Sequence, residues 1–226
     1  YNFQKDKVKA TTLSNYGKKI KHFDSIKNIK LDKLDIKHIE KWKKEMNEKN
    51  LATRTKNDLM KYLKSALNYG TKWYDFNFSS MYLKMENFKN PNEIPKEMEF
   101  YTYEEFKKFI SCAEDIKTKA LFEVLYFCGT RRGELRGLTW KNIDFNRKEI
   151  FVVQNVVNVS GDSGYWQLTT PKTRTSKRQI PMPKVLIEDL NLLKEECKKY
   201  YGFNENWFVF GDIQPIHPDV LRRKKN

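Results

Sequence analysis

The segment from Ala120 to Trp140 constrains this chain more than any other. An apolar run, Ala120-Leu121-Phe122-Glu123-Val124-Leu125-Tyr126-Phe127-Cys128, stops at Gly129, and Thr130-Arg131-Arg132-Gly133-Glu134-Leu135-Arg136 follows at once. A glycine just past the last apolar residue is a helix stop signal. The chain must then turn and present two arginines at the start of a second, shorter helix. An arginine there combines a bidentate fork with backbone amides and the positive end of a helix dipole, which together attract an anion. Further on, Pro171-Lys172-Thr173-Arg174-Thr175-Ser176-Lys177-Arg178 forms a second basic element between two strand-like runs. A lysine there adds a flexible proton donor. The two elements together describe a site for a phosphodiester, not for a small neutral metabolite.

Pro91 and Pro95, in an Asn-, Lys- and Glu-rich stretch between Met85 and Phe100, forbid continued helix and leave little for a core. The stretch reads as a linker over 86–100, dividing the chain into units at 1–85 and 101–226. In the first unit Leu13, Tyr16, Ile20 and Phe23 predict a helix over 8–28, with Thr11 or Thr12 near its start. Ile36, Ile39, Trp42 and Met46 predict a second helix capped by Asp35. A third runs from Thr53, its expected N-cap, through Leu59, Tyr62, Leu63, Ala66 and Leu67. A shorter element near Tyr82 completes a basic bundle. In the second unit Thr102-Tyr103-Glu104-Glu105 is a capping box opening a helix with Phe106, Phe109 and Ile110. Residues 150–159 read as a strand, 160–164 as a turn and 165–168 as the returning strand. A third strand is expected over 178–183 and a helix over 184–201. The expected fold is mainly α with a small antiparallel β-sheet.

The formal charge of +15 is unevenly spread: residues 1–90 hold 21 Lys and Arg against 10 Asp and Glu. That excess suggests a polyanionic partner, gripped by the first unit largely through its backbone rather than its bases. The blander reading is a Lys-rich sequence with lysines on solvated helix faces. Apolar and aromatic shares of 39% and 14% argue for a folded protein. Cys112, Cys128 and Cys197 are too few and scattered for a zinc site or a disulfide framework, and Cys128 reads as a packed thiol. Without a signal peptide or an apolar run that spans a bilayer, the chain is expected in the cytoplasm with no membrane partner.

Tyr126 to Asp144 resembles the first conserved box of the tyrosine recombinases, or phage integrases. There Thr-Gly-x-Arg-x-x-Glu-Leu is followed by Leu-x-Trp-x-x-(Ile/Val)-Asp. Cys128 stands where threonine is usual, while Gly129, Arg131, Glu134, Leu135, Leu138, Trp140, Ile143 and Asp144 fit. The stretch 171–178 resembles the family's β-hairpin lysine segment. The resemblance implies a helical DNA core-binding domain followed by a partial α+β catalytic domain. It further implies a DNA-binding fragment of a site-specific recombinase that cuts and rejoins double-stranded DNA through a 3′-phosphotyrosine. Such a protein self-associates on DNA and uses no metal, nucleotide cofactor or small-molecule substrate.

By the same resemblance Arg131 is a catalytic arginine, Glu134 its support, and Lys172 the general acid toward the 5′-oxygen. Arg132, Arg174, Lys177 and Arg178 are expected on the DNA backbone, as are Thr53, Arg54, Lys56 and Lys61 of the third helix; Arg136 is assigned to phosphate or solvent. The structural alternatives are a surface pair of Arg131 with Glu134 or Glu123, and a charged loop tip at Lys172. The family's downstream His-x-x-Arg has no match: His217 is followed by Pro218, Asp219 and Val220. The chain is therefore expected to be a fragment, with Tyr200 and Tyr201 as packing residues rather than nucleophiles. A second class of function is a non-cleaving regulatory or architectural DNA-binding protein on the same scaffold, against which the pairing of Arg131 with Lys172 counts. An RNA-binding reading lacks RNP aromatics and a KH-type loop.

Overall fold

The computed structural model describes residues 8, 10–93, 97–158, 166–169 and 177–223, and the chain separates into two compact units, Tyr1–Glu97 and Met98–Asn226. The described residues are mainly α-helical, with two small antiparallel sheets.

The first unit is a bundle of α1 (Ala10–Ile20), α2 (Ile36–Glu48), α3 (Thr53–Tyr74) and α4 (Ser79–Lys84). Its core gathers Phe23, Ile39, Trp42, Met46, Leu59 and Leu63, with the Phe23 ring stacked on Trp42 at 5.2 Å. Asp35 caps α2 as its sequence predicts, its side chain accepting the His38 N–H at 3.1 Å. The helix expected over 8–28 ends at Ile20, and Phe23 and Ile26 enter the core from the turns that follow. Thr53 is not the cap of α3: Ala52 holds that position, with no side-chain cap bond. The stretch expected to be linker contributes Phe88 to the core, where Asn57 holds its backbone N–H and carbonyl at 2.7 and 3.1 Å. That two-point amide clasp joins residues 31 positions apart, so local composition cannot reveal it.

The second unit opens on α5 (Tyr103–Ser111), whose Thr102–Glu105 capping box is present. Then come α6 (Ile116–Cys128) and α7 (Arg132–Arg136), β1 (Ile143–Asp144), β2 (Glu149–Val152), β3 (Asn155–Asn158), β4 (Trp166–Thr169), β5 (Arg178–Pro181), α8 (Lys184–Lys198) and α9 (Pro218–Arg223). One sheet has the order β1-β2-β5, with Ile150 opposite Ile180; the other pairs β3 with β4, Val156 opposite Leu168. The core lies between α6, α8 and the first sheet, around Leu121, Val124, Trp140, Ile150, Leu186 and Phe210.

The single strand expected over 150–159 is two strands in different sheets. The break falls where Gln154 turns its Nε2 to the Gly137 carbonyl at 2.7 Å. Residues 160–164, expected to turn, lie outside the described residues.

Candidate active site

Two glycines place the site. Gly129 ends α6 with φ 55°, a left-handed conformation that L side chains resist, so the chain reverses there into Thr130 and Arg131. Gly133 lets α7 lie directly on β3: a Cβ would run into the Asn155 Oδ1 and the Val156 carbonyl. Arg131 is thereby the N-cap of α7, with extended backbone, and its side chain is 73% exposed.

Glu134, one turn along, is buried, and its two oxygens accept four N–H donors. Oε2 accepts the Arg131 backbone N–H at 2.9 Å and Arg178 Nη2 at 2.9 Å; Oε1 accepts Arg131 Nη1 at 2.8 Å and Arg178 Nη1 at 3.2 Å. Burial alone would push this carboxyl up, but the Arg178 guanidinium, then the Arg131 amide and side chain, overcome it and hold it at about 2. Two guanidiniums on one carboxylate leave the cluster with a net positive charge, and the Arg131 side chain is largely exposed. A guanidinium so placed can accept an anion through its remaining N–H donors.

The sequence-predicted residues divide sharply. Arg131 and Glu134 meet; of the two carboxylates considered as partners of Arg131, it is Glu134 that pairs. Glu123 instead lies buried between α6 and α8 beside Asp189, which takes Lys119 Nζ at 2.8 Å. Desolvation, then the Asp189 carboxylate, raise Glu123 to about 8.

Arg178, assigned from sequence to the DNA backbone, is committed to Glu134. Arg136 is no surface contact either: it is buried, its Nε donating to the Ile216 carbonyl at 2.7 Å and Nη1 to Asn158 Oδ1 at 3.2 Å. Arg132 and Lys177 are exposed. Lys172 and Arg174, with the turn expected to carry them, lie outside the described residues.

On α3, Arg54 and Lys61 are exposed, Lys61 3.9 Å from Asp58, while Thr53 and Lys56 are half-buried. Tyr200 and Tyr201, expected to pack, stand exposed at the end of α8. Cys128 is a buried thiol as predicted, pushed up to about 11 by desolvation. His217 lies just before α9, its Nδ1 accepting the Asp219 N–H. Among the described residues no group of three or more His, Cys, Asp or Glu is placed to hold a metal ion. None of the helices there is long and apolar enough to cross a membrane.

The described residues thus combine a helical bundle with an α+β unit that carries an arginine–carboxylate cluster at a helix start. The phage integrase family model matches residues 96–218, more than half of the chain, and the chain belongs to that family. It is 31% identical over 205 residues to the ICEBs1 integrase of Bacillus subtilis (strain 168), a match covering 86% of this chain and 53% of that protein. It is 29% identical over 211 residues to a tyrosine recombinase XerC-like protein of Caldanaerobacter subterraneus subsp. tengcongensis, covering 86% and 51%. The chain thus spans about half the length of these curated relatives. The Tn1549 transposon integrase, solved in complex with transposon right end DNA, shares the fold with a TM-score of 0.67 at 21% identity. That match covers 89% of this chain and 64% of the other.

Proposed function

We propose that this chain is the DNA-binding part of a site-specific tyrosine recombinase of a mobile genetic element, acting in the cytoplasm on double-stranded DNA. The carrying observation is the net-cationic cluster of Arg131, Glu134 and Arg178, with the Arg131 side chain largely exposed. In the reaction of the whole protein a tyrosine hydroxyl gives up its proton as its oxygen bonds to phosphorus, the P–O5′ bond breaks, and the 5′-oxygen takes a proton. Negative charge grows on the non-bridging oxygens as this happens, and a preorganised guanidinium stabilises it more than it stabilises the ground state. Arg131 fills that role and Glu134 holds it. Lys172 is the proton donor. Its segment leads directly into β5, whose first residue, Arg178, sits on Glu134.

The first unit, Tyr1–Glu97, grips the DNA backbone with Arg54 and Lys61, and Thr53 and Lys56 lie beside them. Arg132, Arg174 and Lys177 add phosphate contacts. The relatives' names, both of integrase or recombinase type, and a fold neighbour solved on DNA support this reading over a non-cleaving architectural protein.

The test is cleavage of a nicked suicide substrate by the whole protein. Arg131→Ala is expected to abolish the covalent adduct while weakening DNA binding only slightly; undiminished adduct formation removes Arg131 from the chemistry. Lys172→Ala is expected to be rescued by a 5′-bridging phosphorothiolate, whose thiolate leaving group needs no proton. A cleavage defect that this substrate fails to relieve reduces Lys172 to a phosphate contact.

A further inference from the structure

We propose that Arg178 is a positioning residue for Arg131, acting through the Glu134 carboxylate they share. The proposal rests on the recombinase reading for what Arg131 does, and on the geometry alone for what Arg178 does. Glu134 holds Arg131 by two bonds, one to its backbone amide and one to Nη1. A glutamate has rotatable bonds of its own, so it fixes Arg131 only as well as it is itself fixed. Arg178 supplies that constraint: its planar fork meets both carboxylate oxygens, at 3.2 and 2.9 Å, and sets the carboxylate plane.

The two arginines differ in accessibility. Arg178 is 30% exposed and Arg131 73%, which suits one as the fixed clamp and the other as the working group. Arg178 is also held from behind, as the first residue of β5, opposite Val152 in the β2 ladder. The clamp therefore ties α7 to the sheet across 44 residues of sequence.

Charge gives a second reason. Arg131 and Glu134 alone would form a neutral pair with little pull on a phosphate. Arg178 satisfies the buried carboxylate, so the Arg131 charge remains available outward. Were Arg178 a DNA contact instead, its guanidinium would have to abandon a buried carboxylate, leaving that charge half-paired.

The experiment uses the 226-residue chain and its Arg178→Gln and Arg178→Lys variants, followed by NMR. One readout is the Arg131 Nε–Hε heteronuclear NOE; the other is the Glu134 carboxyl carbon through an acid titration. In the parent the NOE is expected to be that of an ordered side chain, with Glu134 ionised down to about pH 2. In Arg178→Gln the Arg131 NOE is expected to fall to that of a mobile side chain. The Glu134 midpoint should also climb by at least about one pH unit. Arg178→Lys should fall between, because an ammonium cannot hold both oxygens in one plane.

A purely structural role would move the melting temperature alone. A folded Arg178→Gln with Arg131 order and Glu134 titration unchanged overturns the proposal. If that variant does not fold, Arg178→Lys decides by the same two readouts. The recombinase reading is tested separately, by adduct formation in Arg131→Ala of the whole protein, and its failure would leave the NMR coupling intact.

Discussion

Trp42 and Trp140 are both fully enclosed, yet their indole N–H groups meet different surroundings. Trp42 Nε1 donates to the His22 carbonyl at 2.7 Å, whereas Trp140 Nε1 has no acceptor within reach among the described residues. Replacing either by phenylalanine removes similar apolar volume, but only Trp42→Phe strands an acceptor. Trp42→Phe is therefore expected to cost about 1 kcal/mol more than Trp140→Phe in chemical denaturation. Equal costs would mean that water takes over the His22 carbonyl. A similar contrast applies to the thiols. Cys112 is exposed, while Cys128 is buried with its thiol pushed up to about 11. Under native conditions alkylation should label Cys112 and leave Cys128 until the chain unfolds.

At the scale of single elements, helix starts separate real caps from apparent ones. Asp115 begins α6, its carboxylate accepting the Thr118 N–H at 2.7 Å and the Thr118 hydroxyl at 2.6 Å. Asp115→Ala should destabilise the second unit by about 1 kcal/mol. Thr53→Ala should leave α3 nearly unchanged, because Ala52 holds the cap position and the threonine side chain makes no cap bond. A large loss for Thr53→Ala in thermal melts would return the cap to Thr53.

The packing of α6 against α8 adds a pH dependence. Glu123, buried beside Asp189, is raised to about 8, so the folded state binds a proton that the unfolded chain has released. Its contribution to stability is complete below the unfolded value of about 4.3 and is lost as pH rises through about 8. Glu123→Gln is expected to flatten that decline, since an amide still donates to Asp189 without titrating. Parallel declines in parent and variant between these limits would assign the slope to other groups.

For the whole molecule the governing quantity is charge. Residues 1–90 carry 21 basic against 10 acidic side chains, and exposed Arg54 and Lys61 sit two turns apart on α3. If this surface holds duplex DNA, each neutralised phosphate releases counterions. The logarithm of the binding constant should then fall by about 0.9 per contact for each tenfold rise in salt. Fluorescence anisotropy over a salt series should give a steep slope, with Arg54→Ala and Lys61→Ala each lowering it by about one contact. A flat response between low and physiological salt would count against this surface as the DNA grip.

The sequence by itself determined whatever is settled by near neighbours. The apolar run into Gly129, the Asp35 cap and the Thr102–Glu105 box each act within a turn of helix, and the Arg131–Glu134 pair spans three residues. Spacing alone could state these contacts, and the recombinase-like box followed from the same short segment. Tertiary structure decided the contacts that join distant residues. Arg178 reaches Glu134 across 44 positions, Arg136 reaches Ile216 across 80, and Asn57 reaches Phe88 across 31. An arginine in a basic loop has the same local signature whether it faces a phosphate or a buried carboxylate. Which of the two it meets is fixed only when sheet and helix pack together, because the desolvated acid then leaves it no equally good partner in solvent.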